Sequence, residues 1–227
     1  MGIWLPEWSE FIQKRMHRKI FAVGDSHSRR CFEDHEQIAD SRVLAGHNKL
    51  DGKTAYNLER HEKKLFRILS PLHDKSLIFC FGEVDVRLHI KYKHQQQGTS
   101  IEQLIDKTAE RYTSYVHRLR KAGHRIHIFN VVPTGDFQGD EAEKWKRRLK
   151  HPFNTSFEER SSFTEQLNTA YQDYCRKYQI PFIDIYSYLV DEQGKRREDL
   201  IYDYAHINNS CADLVLQYHT FPELSEL

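Results

Sequence analysis

The sequence predicts an α/β domain, a three-layer α/β/α arrangement around a central parallel sheet. Two observations carry this expectation. Short runs that are apolar at every position recur along the chain, the pattern of strands buried on both faces. Between them lie longer segments whose apolar residues fall on one helical stripe. Strands that alternate with helices favour parallel pairing, with the helices covering both faces of the sheet.

The runs are Ile20-Phe21-Ala22-Val23, ending at Gly24; a weaker Arg42-Val43-Leu44-Ala45; Leu77-Ile78-Phe79-Cys80-Phe81, ending at Gly82; Ile126 to Val132; and Phe182-Ile183-Asp184-Ile185, opened by Pro181. One stripe runs through Ile101, Leu104, Ile105, Thr108, Tyr112, Tyr115, Val116 and Leu119, with Ser100 and Gln103 as a capping box and Gly123 as the stop. A second runs through Phe163, Leu167, Ala170, Tyr171, Tyr174 and Tyr178, with Ser162 and Glu165 as its capping pair. The stretch from Lys91 to Ser100, which contains His94 and follows His89, reads as a polar surface loop.

Length and charge bound the function. The 227 residues fit one domain, 1–227. Thirty-four basic and 33 acidic side chains nearly cancel, so nothing in the net charge favours nucleic acid or an anionic membrane as partner. No stretch approaches the roughly 20 apolar residues of a membrane span. Trp4-Leu5-Pro6 runs directly into Glu7, Ser9 and Glu10 with no signal-peptide segment, so a cytoplasmic location is expected. Cys31, Cys80, Cys175 and Cys211 are widely spaced and form no CxxC pair. They read as buried thiols, and neither a metal nor another cofactor is expected. The oligomeric state is left open.

In a sheet of this kind, ligands bind outside the carboxyl ends of the strands. After the first run comes Gly24-Asp25-Ser26-His27-Ser28, and after the third Gly82-Glu83-Val84-Asp85-Val86-Arg87. Near the C-terminus Asp203-Tyr204-Ala205-His206 precedes an apolar helix with Ala212, Leu214, Val215 and Leu216. A serine hydroxyl is a poor nucleophile until a base takes its proton, and that base needs a third group to fix its tautomer. Ser26, His206 and Asp203 are candidates for nucleophile, general base and orienting carboxylate. Each alone has an ordinary alternative: Asp25 or Ser26 as a helix cap, Asp203 as a loop residue, His206 as one of fourteen histidines.

Taken in order, these blocks resemble the SGNH, or GDSL-type, hydrolase superfamily over most of the chain. Gly24-Asp25-Ser26-His27-Ser28 resembles its nucleophile motif and Asp203-x-x-His206 its C-terminal DxxH motif. Gly52-Lys53-Thr54-Ala55-Tyr56 resembles the second block, where a glycine amide helps form the oxyanion hole; Gly46 competes with Gly52 for that place. Gly82-Glu83-Val84-Asp85 occupies the third block, usually GxND, and Gly82 to Ile90 is similar to members with a GE-[IV]-D-x-R-x-H-I block. The resemblance implies a flavodoxin-like sheet and hydrolysis of acyl esters through an acyl-serine, with small O-acyl groups on carbohydrate as a candidate substrate.

One departure matters. The family's asparagine donates to the oxyanion, and Val84, standing in its place, has no donor; losing such a donor costs roughly 10² to 10³ in rate. Arg87 is the candidate replacement, or a contact for an anionic part of the substrate, against the alternative of a salt bridge to Glu83 or Asp85. His27, Arg29 and Arg30 are further candidates for substrate contact. The segment Thr134 to Ser156, with a charged run around Trp145, is either a lid or a solvated helix with Trp145 tucked beneath it. Three other functions stay open: an O-acyltransferase using the same triad, a non-catalytic module binding carbohydrate or protein, and a metal-dependent phosphoesterase using Asp25-x-His27 with Asp203 and His206.

Overall fold

A computed structural model describes residues 17–41, 50–149 and 153–222. Among the described residues, five parallel strands form one sheet: β1 (Ile20–Gly24), β2 (Ile38–Asp40), β3 (Ser76–Cys80), β4 (Arg125–Phe129) and β5 (Phe182–Ile183), in the order β2-β1-β3-β4-β5. The register sets Ile20 beside Ile38 on one side and Ser76 on the other. The chain leaves β1 in opposite directions at its two neighbours, so a crevice opens between the carboxyl ends of β1 and β3.

Every residue of β1 is buried, as its unbroken apolar run requires. Because successive side chains point to opposite faces, the strand splits between two cores. Phe21 and Val23 join Leu77, Phe79, Ile126 and Ile128 beneath α2 (Glu62–Leu69), α4 (Ile101–Lys121) and α6 (Phe157–Tyr178). Ile20 and Ala22 join Ile78, Cys80 and Phe129 beneath α1 (Ser26–Phe32), α7 (Tyr186–Leu189) and α8 (Ser210–Tyr218). This is the expected three-layer arrangement. At Gly24, a Cβ would stand 2.2 Å from the Cys80 carbonyl; only glycine lets the ends of β1 and β3 approach this closely.

Two local expectations change. The helix through Phe163 begins at Phe157, with Ser156 and Glu159 forming the capping box. Ser162 and Glu165 lie inside it, where the Ser162 hydroxyl accepts from Gln166; both pairs fit the motif, and the earlier one wins because Phe157 to Arg160 continue the helix. The polar stretch from Lys91 is no loop: a π-helical turn, Asp85–His89, leads into α3 (Ile90–Gln97), ended by Gly98. Only Ile90 is buried on α3, so no apolar period marked it. The weak strand at 42–45 falls outside the described residues, as does Gly46, and the second strand is the shorter Ile38–Asp40. The four cysteines are buried and free. Among the described residues, no helix is long and apolar enough to cross a membrane.

Candidate active site

Ser26 begins α1 directly after β1, and Asp25 caps that helix by accepting from the His27 N–H at 2.9 Å. The loop before α8 brings His206 to it: His206 Nε2 lies 2.9 Å from Ser26 Oγ. On the other side of the ring, His206 Nδ1 lies 2.9 Å from both Asp203 carboxylate oxygens. Asp203 Oδ1 also accepts the N–H groups of Ala205 and His206, each at 2.7 Å, so the three-residue offset folds into a tight turn around its own carboxylate. Burial opposes the charge on Asp203, but the His206 ring and these two N–H donors outweigh it and hold the carboxyl well below its usual range. An acceptor-only carboxylate fixes the proton on Nδ1 and leaves Nε2 as a lone pair aimed at Ser26.

No regular element holds residues 203–206; a cation does so. Arg196, nearly buried, donates to the carbonyls of His206 (2.9 Å), Tyr204 (3.0 Å) and Asp203 (3.3 Å). Gly135 lies under the same turn, where a Cβ would fall 1.8 Å from the Tyr204 carbonyl. Neither residue was predicted: Arg196 sits in a charged run and Gly135 in a loop, and nothing local marks either.

The third block forms a buried ionic group beside the serine. Glu83 Oε2 lies 2.8 Å from His27 Nε2 and 2.9 Å from an Arg87 nitrogen. Burial alone would raise the Glu83 carboxyl; Arg87 and His27 reverse this and bring it down to about 2. Burial lowers His27 to about 4 against the pull of Glu83, so the ring is neutral at pH 7. Burial, then the charge of Glu83, pushes Asp25 well above its ordinary value. Arg87 thus lies in the salt bridge left open as its alternative role, with Phe137 and Trp145 over its guanidinium at 5.3 and 5.0 Å. Val84 is buried and offers no side-chain donor. Asp85, fully buried, instead accepts the N–H groups of Ala55 (2.6 Å) and Tyr56 (3.2 Å). It thereby fixes the second block to the third, with Gly52 in the turn just before, closed by Lys53 N–H to the Leu50 carbonyl at 3.0 Å.

After β4, α5 (Gly139–Lys146) packs through Ala142 and Trp145 on Phe137, Phe153 and Tyr204. Arg160, fully buried, pins its two ends by donating to the Thr134 hydroxyl and to the Gly135 and Thr155 carbonyls. Beside it, a groove of about 410 Å³ is lined by Asp136, Gln138, Lys195, Ile201, Asp203 and Tyr204 among others. Of the other candidates, Arg30 pairs with Glu33 and lies 4.1 Å over the Tyr202 ring. The His89 ring lies 4.9 Å from the Tyr56 ring, tilted 59° to it, and His94 bonds the Thr99 carbonyl. The metal reading needs Asp25, His27, Asp203 and His206 to converge. Instead His27 Nε2 faces Glu83 and both Asp203 oxygens face His206, and among the described residues no group of three or more His, Cys, Asp or Glu is arranged to hold a metal ion.

Comparison with known proteins bears on this arrangement. A family model described as SGNH domain (fused to AT3 domains) matches residues 10–218. No curated protein sequence matches the chain. Among solved structures, the chain is similar to a GDSL-like lipase from Bacteroides thetaiotaomicron VPI-5482, at 14% identity and TM-score 0.57 over 93% of this chain and 94% of that one. It is also similar to the acetyl xylan esterase AlAXEase, at 14% identity and TM-score 0.51 over 87% and 98%. At these identities the likeness is one of fold.

Proposed function

The chain belongs to the SGNH domain family, and from that premise we propose that it is a serine-dependent hydrolase of acyl esters. The observation that carries the reading is the continuous chain Ser26 Oγ, His206 Nε2, His206 Nδ1, Asp203, with 2.9 Å at each link. In the proposed reaction His206 takes the Ser26 proton as Oγ attacks the ester carbonyl. The tetrahedral oxyanion is held by the backbone N–H groups of Ser26 and Gly52. Collapse expels the alcohol, which receives the proton from His206, and leaves an acyl-serine. Water, deprotonated by His206, then releases the acid.

With Val84 in the third block and Arg87 turned to Glu83, this hole has one side-chain donor fewer than the family pattern. A small acyl group on a carbohydrate is the proposed substrate class, supported by the groove beside Asp203, which mixes polar side chains with the rings of Phe137 and Tyr204, and by the third-block likeness. The test is acetate release, measured on p-nitrophenyl acetate and on an O-acetylated xylan, with Ser26→Ala as control. Release from both by wild type and from neither by the variant supports the reading; equal release by the variant ends it. Adding free sugar acceptors and following the acyl group distinguishes transfer from hydrolysis.

A further inference from the structure

Beyond the triad lies a second connected set of buried groups. Glu83 is 2% exposed, and its Oε2 joins His27 to Arg87. The His27 ring, 3% exposed, stands 4.6 Å from the His206 ring with their planes 42° apart. We propose that His27 and Glu83 are positioning residues for His206: Glu83 orients the His27 ring, and that ring forms the wall that holds the base on Ser26. The inference rests on the reading of His206 as general base.

The anchoring is specific. The Glu83 carboxylate only accepts, so the His27 proton must sit on Nε2 and the ring cannot flip without losing that bond. The main-chain end of His27 is fixed as well, by its N–H on Asp25. His206 has no comparable support from regular structure: Asp203 ties its ring from within the turn, and Arg196 holds its carbonyl from ten residues earlier. His27, on α1, adds a ring contact next to the bond from Ser26.

The pair also suits the charge that develops. When His206 takes the serine proton it becomes a cation, facing Asp203 directly and Glu83 one ring away. A neutral His27 between them does not repel it, and Arg87, on the far side of Glu83, offsets the buried anion. Fixed charges around a group that becomes charged in the transition state act without reorganising.

The test compares His27→Leu, which removes ring and donor, with His27→Gln, which keeps an N–H within reach of Glu83, and with the near-isosteric Glu83→Gln. Turnover of p-nitrophenyl acetate is counted per site titrated with a fluorophosphonate, so misfolded protein does not contribute. The expected result is a kcat loss of about 10²-fold in His27→Leu, in line with the effect of small misplacements of reacting groups. His27→Gln recovers at least tenfold of it, Glu83→Gln falls at least tenfold, and KM stays within twofold throughout. Unchanged kcat per titrated site in His27→Leu and Glu83→Gln, with wild type active, overturns the inference alone. A wild type whose Ser26 the fluorophosphonate does not label overturns the reading beneath it as well.

Discussion

The His27 and His206 rings meet at 4.6 Å, one following the nucleophile on α1 and the other in the loop before α8. The fold resists protonation of His27. Its ordinary value of 6.5 falls to about 4 on folding, chiefly through burial. Between those values the unfolded chain binds a proton that the folded chain does not, so stability is full above pH 6.5 and is lost as pH falls toward 4. The slope is at most about 1.4 kcal/mol per pH unit for one proton. Glu83, depressed from 4.5 to about 2, continues the loss below pH 4.5; Asp25, raised from 3.8, acts with the opposite sign. Urea denaturation across pH 4 to 7 is expected to show a flatter pH dependence in His27→Gln than in wild type.

Asp203→Asn keeps the size of the side chain but allows an amide N–H to face His206 Nδ1, favouring the tautomer with its proton on Nε2. That tautomer has no lone pair for Ser26. The expected loss in kcat is about 10⁴-fold, measured by p-nitrophenyl acetate kinetics.

Gly135→Ala sets a methyl where the Tyr204 carbonyl and the Arg196 guanidinium now lie, at 1.8 and 2.4 Å. The turn 203–206 must move, and His206 with it. A kcat loss of at least tenfold is expected, since a displacement of about 1 Å at the reacting groups can cost 10²-fold. A crystal structure of the variant is expected to show the His206–Ser26 distance lengthened beyond 2.9 Å.

Arg160→Met leaves the Thr134 hydroxyl and the Gly135 and Thr155 carbonyls without their common donor. Buried acceptors stripped of a partner cost about 1–3 kcal/mol each before relaxation, so a loss of roughly 3 kcal/mol in unfolding free energy is expected. It is read from the denaturation midpoint at unchanged slope.

The parallel sheet was legible because burial on both faces leaves Ile20 to Val23 and Leu77 to Phe81 apolar at every position, and the helix through Tyr112 was legible because one face of it is dry. α3 was not, since a helix touching the core through Ile90 alone has no period. The residues that meet in the site were readable as strand-end motifs, because a parallel sheet gathers its strand ends at one edge. Their supports were not. The Glu83 link to His27 joins two blocks that read as separate motifs, and Arg87 had two open roles that only its place between Glu83, Phe137 and Trp145 distinguishes. Arg196 and Arg160 act on backbone carbonyls, and a contact of that kind leaves no pattern in the residues it reaches.

The central claim is that Ser26 is activated by His206, and intact-mass analysis after exposure to a fluorophosphonate tests it most directly. The account predicts one adduct on wild type, none on Ser26→Ala, and an adduct on His206→Ala that forms far more slowly. An unlabelled wild type, or a Ser26→Ala variant labelled at the wild-type rate, would contradict it.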